Sequence, residues 1–280
     1  MSKNIQQVYT DSPIVTNQAT DLMYFGRAPY GTSDDCAMTY ADFAAQFGNE
    51  GALLEVRTIV PADGIVNYTP TVGTQHIMVE LVGGGSGGAN STGGVGTSSI
   101  GCSGSGGGYI KAYFPNFTSG YLARAGAGGI GAATGSITGG DPGTASFFGD
   151  AGGVLSLQGL GGNSPGSNTV TTSVNDIFVQ VMGVPGGQAI VGASPAGTVI
   201  LALQDGQTSA QSVTLPVGFG IPSFVGGSPL GLGFQPQWAS DTPGINGIGN
   251  GCGGAGGMSL ANDQAGGNGT DGIINIYEFG

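Results

Sequence analysis

The sequence predicts a mainly β protein, a glycine-rich sandwich-like body with extended polyglycine segments. Three observations predict it. The 60 glycines among 280 residues concentrate in two blocks, Gly83–Gly162 and Gly244–Gly272, where an ordinary chain carries about 7%. Runs of apolar residues with strand-like alternation flank both blocks. Charged residues make up only 8% of the chain and apolar residues 39%. That balance is not the low-hydrophobicity, high-charge signature of disorder, and the glycines lack the strict three-residue period of collagen. Glycine loses more backbone freedom on folding than any other residue, so this density is sustained where backbones approach closely or turn tightly. Two arrangements meet that condition. Extended polyproline-II-like segments can pack side by side, pairing their main-chain groups, or long loops can join the strands of a sandwich. Two parts are expected: an N-terminal segment, 1–50, and a glycine-rich β domain, 51–280, with an inserted region at 164–243.

The first part has few glycines. Leu22–Arg27 reads as a short strand, and Ala28-Pro29-Tyr30-Gly31 as a turn. Asp34 and Asp35 follow, with Arg27 as an ion-pair partner of little energetic weight. Thr39–Gly48 reads as the one short helix. Thr39 is placed to cap it, with Asp42 in the capping-box position and Met38 and Phe43 at staple spacing. Phe43 and Phe47 share a face, and Gly48 ends it. So short a helix needs something to pack on.

From Leu53 the pattern turns to β. Leu53–Val60 alternates in part and breaks at Pro61-Ala62-Asp63-Gly64. His76–Val82 puts Ile77, Val79 and Leu81 on one face. Further strands are expected at Tyr109–Phe114, Tyr121–Ala125, Val154–Gln158 and Gly272–Phe279. Within 164–243 glycine thins, and Ile177–Met182, Thr198–Leu203 and Ser212–Val217 read as strands.

Charge and chemistry exclude several functions. The net charge is −12, from 17 acidic and 5 basic residues, and no basic residue follows Arg124. Phosphate-backbone binding needs Lys and Arg, so nucleic acid is not an expected partner, and anionic lipid is equally disfavoured. No run of roughly 20 apolar residues predicts a membrane span, and the N-terminus lacks the apolar stretch of a signal peptide. Cys36, Cys102 and Cys252 show no metal-binding spacing, and their odd count and scatter predict reduced structural thiols. No GxxxxGK[ST] lysine accompanies the glycines. His76 is the only histidine, too few for a zinc site and an expected structural residue. Asp176, Asp205 and Asp241 show no spacing that selects a glycosidase pair. No catalytic residue, cofactor or metal is expected, and the chain does not read as an enzyme. Recognition residues are sought instead in the region 164–243, where glycines are fewer than in the two blocks. There Trp238, Phe234 and Phe224 offer flat apolar faces, with the amides of Gln235 and Gln237 among them. The same aromatics serve equally well as a small core or an interface between copies.

The order of strands and glycine runs carries a resemblance. Val79–Val82 enters Gly83-Gly84-Gly85-Ser86-Gly87-Gly88, and Gly104–Gly108 enters Tyr109-Ile110. Arg124–Gly129 and Gly140–Gly149 follow, and Gly266–Phe279 closes the series. Over Leu53–Pro165 and Gly244–Gly280 this resembles the glycine-rich domain of bacteriophage tail fibre proteins. The N-terminal run Thr20–Gly31, with Asp34-Asp35 and the short helix, resembles the attachment segment of phage fibre and other virion proteins. The resemblance implies a trimeric virion appendage, assembled in the host cytoplasm. It would be joined to another virion protein through Leu22, Tyr24, Phe25, Arg27, Tyr30, Phe43 and Phe47. The function it implies is a tail fibre or tail-tip adhesin binding a host surface glycan or protein. A structural head fibre or capsid decoration is the alternative, and a polysaccharide depolymerase a third reading.

Overall fold

The structure, a computed structural model, describes residues 51–94, 96–115, 120–136, 139–150, 157–165, 183–194, 196–209, 225–232 and 241–280. It adds the backbone alone of six strands at 22–25, 36–39, 169–173, 178–180, 212–215 and 219–221. The chain forms two compact units: Met1–Leu53 with Phe279–Gly280, and Leu54–Glu278. In the first, Leu22–Phe25 pairs antiparallel with Cys36–Thr39, Leu22 opposite Thr39 and Phe25 opposite Cys36. The second of these strands was not read from the sequence. Thr39, expected to cap a helix, ends it, and the rest of the expected helix lies outside the described residues. Gly51 and Gly280 close this unit's other described part, the Gly51 N–H donating to Gly280 O at 2.7 Å.

The larger unit is mainly β, as its alternating apolar runs predict. Two five-stranded sheets face each other. One has the order Val199–Gln204, Tyr109–Phe114, His76–Val82, Ile273–Phe279 and Leu53–Ile59. The other has the order Ala189–Val191, Leu157–Gly159, Ser146–Asp150, Tyr121–Arg124 and Val66–Tyr68. Successive strand residues point to opposite faces, so Ile77, Val79 and Leu81 go inward with Ile110, Ala112 and Phe114 of the antiparallel neighbour. Ile274 and Ile276 join them, and Tyr121, Ala123, Phe148 and Leu157 come from the facing sheet. At the centre Tyr121 and Phe148 rings lie 4.9 Å apart, with Phe114 6.0 Å from Phe148. Close-set aromatic pairs add to the burial of their area.

The glycine runs are the second layer of construction. Gly83, Ser86 and Ala89 donate their N–H groups to the carbonyls of Gly108, Ser105 and Cys102. Gly84 and Gly87 donate to Thr144 and Asp141, and Gly85 and Gly88 to Thr270 and Gly267. Each neighbour is met every third residue, the period of polyproline II. Acceptor numbers fall as donor numbers rise, so these three neighbours run antiparallel. In return Gly85 and Gly88 accept from Gly129 and Ala132, Ser86 and Ala89 from Gly254 and Gly257, and Gly84 from Gly162. The central segment 83–89 is therefore enclosed by six others, with hydrogen bonds of 2.8–3.0 Å. A backbone with no internal hydrogen bonds thus satisfies its buried groups through its neighbours. Of the two arrangements open at the sequence level, packed segments are the one found. The one serine within 83–88 joins the lattice through its side chain: the Ser105 N–H donates to Ser86 Oγ at 2.8 Å.

The stretch 164–243 is woven into this body in its described parts. Ala189–Val191 and Val199–Gln204 are the outermost strands at one end of each sheet. The Gly187 N–H donates to Gly106 O, that of Gly206 to Gly187 O and that of Gly226 to Gly104 O. These glycines of the stretch fall where extended segments cross.

Candidate functional site

The sandwich and the glycine lattice alternate along the chain, and their alternation positions what lies beyond the lattice. His76–Val82 leads into segment 83–89, which leads to the strand Thr97–Gly101; segment 102–108 then returns to Tyr109–Phe114. Thr97–Gly101 pairs antiparallel with Thr169–Ser173 and with Met258–Ser259, away from the sandwich strands. A separate small sheet orders Phe178–Gln180, Ser212–Leu215 and Phe219–Ile221. Thr97–Gly101 itself is joined at both ends to segments whose backbones are cross-bonded on several sides.

The expected recognition residues Phe234, Gln235, Gln237 and Trp238 lie between Leu232 and Asp241, and Phe224 just before Val225; all five are outside the described residues. Both flanks of 233–240 are described and are fixed. Upstream, the Gly231–Leu232 strand pairs with Ile248–Gly249, and the Asn250 N–H donates to Leu230 O at 3.1 Å. Downstream, Asp241 Oδ1 accepts the N–H groups of Leu260, Ala261 and Asn262 at 2.7, 3.0 and 3.1 Å. Asp241 sits at φ 50°, a conformation that aspartate adopts more readily than most residues. The backbone hydrogen bonds, Leu260 first, hold its carboxyl below the usual range. Of the expected attachment residues, Leu22, Tyr24 and Phe25 lie on the first strand of the N-terminal hairpin. Arg27, Tyr30, Phe43 and Phe47 are outside the described residues.

Two carboxylate clusters escaped sequence reasoning. Glu278 follows Ile274 and Ile276 on the inward face and is fully buried. It accepts the Thr71 N–H at 2.7 Å and the Thr74 hydroxyl at 3.0 Å, and Arg57 Nε lies 3.1 Å away. Alternation carried far enough would have put Glu278 inward; the alternation of the Leu53–Ile59 strand likewise aims Arg57 there. On the opposite face Glu80 accepts from Tyr109 at 2.5 Å and Tyr277 at 3.2 Å, with Lys111 3.8 Å away. Burial, and then the adjoining carboxylates, push the Tyr68 and Tyr109 phenols well above their usual value. A raised folded-state pKa contributes stability that is intact below the unfolded value near pH 10 and lost as pH rises beyond it. Alkaline titration is therefore expected to show a block of tyrosinate absorbance appearing only with loss of the circular-dichroism signal. Tyr68→Phe should shrink that block; tyrosinate absorbance that is complete before any unfolding would contradict the burial.

A surface cleft of about 490 Å³ opens beside Arg57, lined also by Glu55, Thr58, Asp63 and Tyr68. Its one cation is already shared by Glu278 and Glu55, at 3.1 and 3.2 Å, so the cleft has no charge left for an anion. Asp205 is likewise engaged, accepting the Ala189 N–H at 2.8 Å. His76 packs edge-on against Tyr113, ring centres 5.4 Å apart. Cys102 and Cys252 are buried and free, and burial pushes both thiols up, away from reactivity. Among the described residues no three His, Cys, Asp or Glu side chains converge to hold a metal ion, and no helix is long and apolar enough to cross a membrane.

Comparison with curated proteins finds no match. The sequence profile of one family, described as a glycine-rich domain, matches residues 61–277. That span takes in both sheets but for the Leu53–Ile59 strand, and the packed segments between them, and on it the chain belongs to the glycine-rich domain family.

Proposed function

We propose that the chain is a bacteriophage virion appendage, a tail fibre or tail-tip adhesin. Its N-terminal segment would grip another virion protein, and Phe224, Phe234, Gln235, Gln237 and Trp238 would contact a host surface glycan or protein. The observation that supports this reading most is the fixing of both flanks of 233–240 to the lattice, by the Gly231–Leu232 pairing and by Asp241. Recognition residues commonly sit on connections held by a rigid scaffold, and a tryptophan with neighbouring amides suits a sugar ring or a protein patch. A weak site repeated on one particle gains avidity without new contacts.

The test is adsorption of the purified chain to host cells, in competition with phage. Trp238→Ala should weaken single-site binding about 30-fold, the ~2 kcal/mol of a buried aromatic anchor. Adsorption unchanged by that substitution would remove Trp238 from the site. No adsorption at micromolar concentration would sink the adhesin reading and leave a structural head fibre or decoration protein.

A further inference from the structure

We infer that Asn246 and Asn268 are deamidation sites that the glycine lattice holds shut, so that a chain left unfolded loses the ability to refold. Each is followed by glycine, in the pairs Asn246-Gly247 and Asn268-Gly269. Glycine has no side chain to hinder its own nitrogen, which can therefore attack the asparagine carboxamide carbon. That nitrogen gives up its proton, the carboxamide nitrogen leaves as ammonia, and a cyclic imide closes across the pair. Water then opens the imide at one carbonyl or the other. One product is aspartate; the other is isoaspartate, in which the main chain runs through the former side-chain carboxyl.

Both reacting groups are engaged in the folded chain. Asn268 Oδ1 accepts the Gly131 N–H at 2.8 Å, and the Gly269 N–H donates to Gly129 O at 2.8 Å. Asn246 Oδ1 accepts the Asn268 N–H at 2.8 Å, and the Gly247 N–H donates to Asn268 O at 2.9 Å. Closing either imide breaks both bonds of its pair. The two asparagines are exposed, so water reaches them and the bonding, not burial, holds the reaction off. The same grip recurs with aspartate: Asp271 Oδ1 accepts the Gly128 N–H while the Gly272 N–H donates to Gly126 O, and Asp205 with Gly206 holds Ala189 and Gly187 in the same way. Aspartate at 268 therefore keeps the grip. Isoaspartate does not, because it lengthens the main chain by one carbon and shortens the side chain by one. The side-chain oxygen and the next N–H then no longer span a neighbour that is met at a period of three residues.

The test holds the full chain at mildly alkaline pH, folded in buffer or unfolded in urea, and follows isoaspartate at each position by peptide mapping. Asn246 and Asn268 should react at least about ten-fold more slowly in the folded chain, where the reaction waits on local opening. Circular dichroism recovered on removing the urea should fall as isoaspartate accumulates, measured against chains diluted at once. The third Asn-Gly pair is Asn250-Gly251; a variant with Asn246→Asp, Asn250→Asp and Asn268→Asp should fold like the parent and keep most of the recovery the parent loses. Equal rates in the folded and unfolded chain would overturn the proposal. So would full recovery by chains that carry isoaspartate at 246 or 268, or a variant that loses recovery as fast as the parent. Adsorption to host cells is not involved, so failure here leaves the adhesin reading standing.

Discussion

Gly85→Ala is expected to abolish folding or to cost at least about 4 kcal/mol, the diagnostic end of single substitutions. A Cβ at Gly85 would lie 1.9 Å from the Cys252 carbonyl oxygen and 2.1 Å from its carbon. Those atoms are backbone, and they are not free to withdraw. The Thr270 N–H donates to that same oxygen at 2.8 Å, and two residues on, the Gly254 N–H donates to Ser86 O at 2.8 Å. Moving segment 251–257 outward to admit a methyl group would break bonds on two sides of the central segment. Overpacking an ordinary core costs about 1–3 kcal/mol because side chains can re-rotate; here none stands in the way to rotate. The gain from stiffening the unfolded chain, about 0.4–1 kcal/mol for Gly→Ala, is smaller and of opposite sign. Against a total stability of roughly 5–15 kcal/mol, the loss would show in soluble yield or in urea unfolding. Gly94→Ala is the matched control. Among the described residues its Cβ would meet the Thr97 side chain and no backbone, the hydroxyl at 2.8 Å. It should therefore cost one hydrogen bond, that of the Thr97 hydroxyl to the Gly94 carbonyl, roughly 1 kcal/mol. Equal behaviour of the two variants would mean that segment 83–89 is not enclosed.

The same lattice explains what the sequence made legible. His76–Val82 and Tyr109–Phe114 are found at their expected bounds, because alternation over six or seven residues has one reading when one face is buried. Val199–Gln204 was read within a residue. Its run of Val, Ile and Leu marks a strand without saying that both faces lie open. Val66–Tyr68 and Ala189–Val191 are three residues long, too short to alternate, and were missed. The glycine blocks announced close packing but not partnership. Which of six segments meets Gly85 depends on a period of three shared between stretches up to about two hundred residues apart, and glycine has no side chain to mark the register. For the same reason 164–243 looked like an insertion. Its composition differs, yet Gly187, Gly206 and Gly226 suffice to cross the lattice. Glu278 was hidden by habit more than by physics, since a carboxylate on the inward face of a strand runs against the usual burial of apolar groups.

Glu278→Ala carries the other large expected loss, about 3–5 kcal/mol, the cost of breaking a buried ion pair by removing one partner. Two groups would lose their partner together, the Thr71 N–H and Arg57 Nε, while the Thr74 hydroxyl keeps the Thr71 carbonyl at 2.8 Å. Arg57 is 36% exposed and also contacts Glu55 at 3.2 Å, so part of its charge can turn to water. That places the result toward the lower end of the range. Glu278→Gln keeps an acceptor for Thr71 and Thr74 but not the charge, and should cost less than alanine. Pairing Glu278→Leu with Arg57→Met removes both charges, and should recover most of the loss, because a buried pair replaced by apolar groups is often neutral or stabilising. Urea unfolding of Glu278→Leu, Arg57→Met and the pair together forms a cycle whose coupling term should reach at least about 1 kcal/mol. A coupling near zero would mean that Glu278 is stabilised by the Thr71 and Thr74 bonds alone. Arg57 would then act through Glu55, 3.2 Å away, and the Tyr68 ring, which its guanidinium overlies at 5.8 Å.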